Sequence, residues 1–385
     1  MGRSRPSKVR SKGGTARECV PVSRWVARKL LAEGEFEMAY RPAVIGCVLV
    51  LLVPLWAVGQ PQETATDASN AFRTPWGHPD LQGIWNNATI TPLQRPESLG
   101  DQAFLTAEEI AAMEQRAAEG FSQSNAAQEV RTEPLPVGGN VGAYNSFWTE
   151  EGTAVVQTGR TSLISDPPNG QLPQLTSQAE ARIASPAYRR LADVRDGRVP
   201  ADGPEEMGLS ERCLWYRGIG HISPTGYNNN YHFFQTPDAL VILQEHIHDV
   251  RYIFLDGRPH LPSSIRQFAG DSRGRWDGDT LVVETTHVRE PFIRRWNLPQ
   301  NSLGRGDLGD QVLLVERFTR TGPDTLNYEF TVNDPDTWTA PWSGSLPMAR
   351  TEGPMFEFAC HEGNYGMENM LTGSRADEGS VGGAR

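Results

Sequence analysis

The chain has 385 residues, a formal net charge of −11 and 38% hydrophobic residues, with ten Trp, nine Tyr and fourteen Phe available for a core. This length suits two or three average domains or one large all-β domain. Residues 1–41 hold ten Lys/Arg against four Glu, so the remainder carries −17; an acidic body of that kind argues against nucleic acid and anionic membranes as partners.

Taken in chain order, the first 37 residues read as an upstream extension. Met38–Arg41 is a short basic start, Ala43–Val58 is apolar throughout, and Gly59 closes the run. Sixteen apolar residues suit a signal-peptide core and are short for a spanning helix. Residues 38–59 are therefore expected to be a signal peptide, the mature chain to begin near Gln60, and the product to be periplasmic or secreted with no stable membrane insertion. The alternative is a short membrane anchor with a basic cytoplasmic tail. Val44–Cys47 has the look of a lipoprotein box, but it precedes the apolar run instead of ending it. Export would remove Cys19 and Cys47, leaving Cys213 and Cys360. An oxidising compartment favours a bridge between them; the alternative is two buried thiols. The bridge would close 147 residues, about 4–5 kcal/mol in the chain-entropy model.

Residues 60–75 read as a flexible leader, and Pro75–Trp85 as an irregular surface stretch broken by Pro and Gly. Thr106–Ala118 predicts a helix, with Thr106 and Glu109 forming a capping box and Ile110 and Met113 on one face. Residues 120–143 have no periodicity and suggest a mobile loop. Gln178–Asp196 is helical with an interruption at Pro186. Residues 60–204 thus form an irregular and helical region packed on a β body at 205–372, with a disordered tail at 373–385.

The β body opens with Tyr231–Gln235, a turn at Thr236–Asp238, and a long strand Leu240–Leu255. Arg273–Trp276 and Asp279–Thr285 flank Asp277-Gly278, the strongest short hairpin cue. Val312–Arg320 and Thr325–Val332 flank Gly322-Pro323-Asp324, and Trp338–Ser343, Leu346–Arg350 and Phe356–Ala359 follow. Hairpins in sequence without intervening helices predict a mainly β fold, an antiparallel meander closed as a barrel or packed as a sandwich.

The segments PWGHPDLQGIW, RTSLISDPPNGQLP, YNNNYHFFQTP, DGRPHLP, GDSRGRWDGDTLVVETT, ERFTRTGPDTLNYEFTVNDPDTWTAPW and ACHEGNY together resemble a family of exported bacterial proteins of unassigned function. The resemblance spans residues 73–372. It implies export and a β-rich body comparable with calycin-like barrels, and it carries no catalytic residue over.

Chemistry is densest in Leu243–His260, which holds three of the eight histidines. On one strand His246 and His248 share a face and Glu245, Asp249 and Arg251 the other. A His-x-His pair on a strand can grip a divalent metal if His232, His260 or His361 supplies a third ligand; half-buried imidazoles bonded to backbone are the simpler reading, and no cofactor is expected. The carboxylates beside Arg251 read either as a structural ion pair or as part of a lined pocket. A β-bulge would let His248 and Glu245 face one space. Asn228, Asn229 and Asn230 suit sugar hydroxyls or a turn. Cys360-His361-Glu362 would hold His361 near Trp215 and His221 if the bridge forms.

The leading expectation is a cofactor-free exported enzyme, a hydrolase, lyase or isomerase acting on a small organic or sugar-derived molecule in a barrel cavity. His248 with Glu245 or Asp249 would do acid–base work, Arg251 or Arg266 would steady a developing anion, and His361 would serve as second acid–base. His260, Arg266, Asn229, Asn230, Tyr252 and Trp276 would contact the substrate. The alternatives are a binding protein for a hydrophobic small molecule and a structural envelope protein. No Gly-x-Ser-x-Gly, phosphate loop or dinucleotide fingerprint is present.

Overall fold

Ten strands are defined in the computed structural model, which describes residues 72–124, 152–195, 198–215, 222–289, 311–362 and 364–382. The expected extension, signal peptide and leader up to residue 71, most of the expected loop 120–143, and His221 lie outside these residues. The strands are β1 (Gly83–Asn86), β2 (Ile164–Asp166), β3 (Asn230–Gln235), β4 (Ala239–Gln244), β5 (Val250–Phe254), β6 (Asp271–Asp277), β7 (Thr280–Thr286), β8 (Leu313–Arg320), β9 (Thr325–Asn333) and β10 (Trp342–Thr351). The helices are α1 (Ala107–Ser124), α2 (Ser177–Ile183), α3 (Pro186–Arg195) and α4 (Tyr365–Gly382).

The protein is mainly β, and nine strands close into a barrel. The sheet order is β1-β3-β4-β5-β6-β7-β8-β9-β10, and β1 also pairs with β10 to complete the ring. β2 extends the sheet beside the N-terminal half of β10, at Ser343 and Gly344, while β1 pairs with its C-terminal half. The local turns behave as their residues dictate. Thr236 N–H donates to Ala239 O across the β3–β4 hairpin, and Gly278 at φ +59° makes the β6–β7 turn.

The register fixes the interior. Paired positions share a face, as do alternate residues of one strand, and one such face holds Trp85, Tyr231, Gln244, Ile242, Arg251, Ile253, Ser272, Thr285, Leu314, Val332 and Trp342. This face points inward, because Phe233 on β3 meets Phe318 on β8 edge-on at 5.7 Å across the barrel. Trp85, Tyr231, Phe233, Phe318, Tyr328 and Trp342 are fully buried. At Gly344 a Cβ would come within 2.5 Å of the Phe330 ring, so glycine lets that ring lie flat against β10.

Outside the barrel, α1 begins at the expected capping box. Glu109 N–H donates to Thr106 Oγ1 at 3.2 Å and Thr106 N–H to Glu109 Oε2 at 2.8 Å. Ile110 and Met113 pack against the main core, together with the buried Leu93, Val155, Val156 and Leu163. α2 and α3 divide at Ser185-Pro186 as the sequence indicates. A second small cluster joins Val194, Ala201 and Met207 to Met367, Met370 and Leu371 of α4. α4 is a helix where the sequence suggested a tail from 373.

Four further expectations are corrected. The meander is not wholly antiparallel, because β5 and β6 pair in parallel. The stretch expected to run irregularly contains β1, the strand that closes the barrel. The long strand Leu240–Leu255 is two strands separated by a turn at His246–His248, where Ile247 and His248 adopt left-handed backbone at φ 60° and 45°. Trp338–Ser343 and Leu346–Arg350 lie in and around the single strand β10, and Phe356–Ala359 forms no strand. No helix among the described residues is long and apolar enough to cross a membrane.

Candidate functional site

The two ends of the barrel differ in kind. One is plugged by its own chain. Leu81, fully buried, donates its N–H to Gln235 Oε1 at 2.7 Å, Gln235 Nε2 donates to Pro79 O at 3.0 Å, and the Trp85 indole donates to Leu81 O at 2.9 Å. His78 stacks on Trp276 at 4.6 Å on the same side. The PWGHPDLQGIW segment therefore stoppers the barrel, and Trp276 lies at this plugged end against His78.

The other end is polar. It gathers the C-terminal ends of β1, β4, β7 and β9 and the N-terminal ends of β3, β5, β6, β8 and β10. Inside it lies a buried ion pair. Arg251, 2% exposed, donates to both carboxylate oxygens of Glu316, which is 0% exposed. Its remaining donors reach Ser272 Oγ at 3.0 Å and Thr285 Oγ1 at 2.7 Å, and Tyr328 OH donates to Glu316 Oε1 at 2.9 Å. Burial, together with the Glu316 charge, holds the Tyr328 phenol protonated, well above its ordinary pKa.

Three polar side chains at this end have no such partners. The amide nitrogen and oxygen of Gln244, those of Asn87, and the indole nitrogen of Trp342 are buried without a hydrogen-bond partner among the described residues. Gln244 sits beside Tyr231 on the inner face and Trp342 beside Val332. Asn87 follows β1 two residues after the inward Trp85, and its own N–H donates to Asn229 O at 3.2 Å.

On the outer surface of the same end, Glu245 is buried. Asn230 Nδ2 donates to its Oε2 at 2.8 Å, and Asn86 Nδ2 donates to Asn230 Oδ1 at 2.8 Å. Asn229 holds Thr225 through bonds of 2.9 and 2.7 Å. These asparagines brace the strand start in the manner of a turn. His246 is sandwiched between Tyr227 at 5.0 Å and Phe358 at 4.7 Å. His248 is exposed, with Nδ1 2.9 Å from Phe358 O and its ring 6.1 Å from that of His361. The Cys213–Cys360 disulfide anchors this segment, with Cα atoms 5.7 Å apart.

A third group surrounds the β6–β7 rim. His260 Nδ1 lies 2.8 Å from Asp271 Oδ2, which also accepts the Leu261 N–H at 2.9 Å, while Arg273 donates to Asp271 Oδ1 at 2.6 Å. Burial raises the Asp271 carboxyl, but Leu261, His260 and Arg273 together hold it below the usual carboxylate range. Thr286 Oγ1 stands 3.4 Å from His260 Nδ1 and 3.2 Å from His287 Nδ1.

The expected catalytic set therefore does not converge. Arg251 points into the barrel and is committed to Glu316, Glu245 faces out and is held by Asn230, and His248 is at the surface. Tyr252 is 59% exposed on the outer face of β5. Asp249 and Arg266 are half-buried. The His-x-His pair does not occupy a strand, so its shared face is lost, and His232 lies against Phe234 at 4.0 Å on β3. Sequence reasoning missed Glu316, Gln244, Asn87 and His287. Glu316 interrupts an otherwise apolar inner row on β8 and was the one legible signal. No family model, curated protein or solved structure matches the chain.

Proposed function

We propose that this protein is an exported binding barrel for a small organic molecule with a neutral hydrogen-bonding group, taken at the polar end. The observation that carries this reading is the set of unpartnered amides on Gln244 and Asn87. A buried polar group left without a partner costs about 1–3 kcal/mol, and a ligand offering donors and acceptors would offset it. Amides present both and carry no charge, which suits hydroxyl or amide groups better than ions. The interior cation favours this too, since Arg251 is already neutralised by Glu316. The ligand is thus more polar than the hydrophobic molecule considered from sequence. Export is supported by the apolar run before Gly59 and by the disulfide, which belongs to oxidising compartments.

The test uses protein recovered from the exported fraction, with a mature N-terminus near Gln60 read by mass spectrometry, in calorimetric titrations against a panel of neutral polyols and amides. Gln244→Leu is expected to stabilise the fold by about 1–2 kcal/mol and to weaken binding at least tenfold. A destabilised variant that binds as well as the parent would refute the site, and a chain retaining residues 38–59 would refute the signal peptide. A second reading, acid–base catalysis on the bound molecule, is favoured by the 2.8 Å contact of His260 with Asp271. It requires turnover that His260→Gln abolishes while binding remains.

A further inference from the structure

We propose that His260, Asp271 and His287 bind a divalent transition-metal ion of the zinc type, with the Thr286 hydroxyl beside it. Among the described residues these three are a group of His, Cys, Asp and Glu whose ligand atoms all lie within 4.8 Å of one another. Four atoms follow one another at close spacing: Asp271 Oδ2 to His260 Nδ1 at 2.8 Å, His260 Nδ1 to Thr286 Oγ1 at 3.4 Å, and Thr286 Oγ1 to His287 Nδ1 at 3.2 Å. Zinc bonds of about 2.0–2.1 Å in a tetrahedron place neighbouring ligand atoms about 3.3 Å apart. Two of these spacings, 3.4 and 3.2 Å, fall at that value, while the 2.8 Å hydrogen bond of His260 to Asp271 would have to open by about 0.5 Å to admit the ion. Two imidazoles and one carboxylate are also a donor set suited to borderline divalent ions and poorly suited to calcium or magnesium.

The surroundings match a built site. Arg273 holds the other carboxylate oxygen at 2.6 Å, and the Leu261 N–H fixes Oδ2, so the carboxylate is oriented from outside the cluster. His287 is turned toward the cluster by left-handed backbone at φ 54°, and its carbonyl accepts the Gln267 N–H at 3.1 Å. The imidazoles are half-buried, which leaves an entry path for the ion and room for water as a further ligand. The ion would replace the proton shared by His260 and Asp271, and it would pin the β5–β6 connection to the ends of β6 and β7 at the rim of the polar end. This inference is independent of the ligand reading above.

The experiment is equilibrium dialysis of untagged mature protein against zinc chloride, followed by elemental analysis, with cobalt(II) absorption as a geometric readout. One equivalent of zinc should be retained, and cobalt(II) should give the intense visible bands of a four-coordinate site. Affinity should fall at least tenfold in His287→Ala and in His260→Ala, and should be unchanged in His248→Ala. His287→Ala is the decisive variant, since that half-buried imidazole touches neither Asp271 nor Arg273. Failure to retain zinc, or retention undiminished in His287→Ala, would overturn the proposal; so would loss of the ion in His248→Ala.

Discussion

Arg251 shows how a residue's worth depends on its neighbours. Its buried guanidinium meets Glu316, Ser272 and Thr285, and Tyr328 completes the carboxylate. Removing one charge leaves the other buried and uncompensated, which typically costs 3–5 kcal/mol. Arg251→Met and Glu316→Gln should each lose about 3–5 kcal/mol in urea denaturation. The double variant should lose clearly less than the sum, because neither charge is then stranded. Additive losses would mean that the pair contributes little as a pair. In the sequence Arg251 stood among Val and Ile and invited a catalytic reading. Its partner is 65 residues away on β8, a pairing that barrel closure alone creates.

At the scale of elements, the α3 region offers a measurable acid dependence. Arg190 on α3 holds Glu206 through two bonds of 2.9 and 3.0 Å, and the Asp202 N–H donates to the same carboxylate. The Arg190 bonds are the main reason that Glu206 stays below the usual range, against a smaller opposing effect of burial. A depressed carboxyl contributes stability above its unfolded pKa of about 4.3 and loses it as the pH falls through the folded value. Glu206→Gln should therefore lower the melting temperature at pH 7 and leave it little changed at pH 3. A constant difference across that range would show that packing, not charge, is at stake. Elements governed by adjacent residues were legible in the sequence: the capping box of Thr106 and Glu109, the break at Pro186, and the turns at Asp277-Gly278 and Gly322-Pro323-Asp324. The turn at His246–His248 was not, because Ile247 is β-branched and disfavours left-handed backbone, and only its burial and the flanking strands hold it there.

For the whole molecule, the decisive contact is remote in sequence. β1 joins β3 and β10, elements more than 140 residues downstream, and places Trp85 in the centre. The four residues Gly83–Asn86, at the end of a stretch broken by Pro and Gly, give no periodic signal, so the sequence does not show closure. The site was equally obscure, since Gln244 ends β4 and Asn87 follows β1, segments more than 150 residues apart in sequence that β3 alone brings to one rim. Trp85→Ala is expected to lose about 3–5 kcal/mol and to free the indole bond to Leu81, so the plug at Pro79–Leu81 should become accessible to protease. An unaltered denaturation midpoint would show that the ring is held closed without it.

The parallel contact between β5 and β6 follows from arithmetic. Neighbours in a closed ring can alternate in direction all the way round only if their number is even. Nine strands leave one mismatch, a seam that no choice of side chains can remove. The chain must then travel outside the wall from one end to the other, and it does so over the 16 residues from Leu255 to Gly270. That obligatory detour is what carries His260 to Asp271. A ring of eight or ten strands could have joined the same two strands by a short hairpin, and the imidazole would have had no route to the rim.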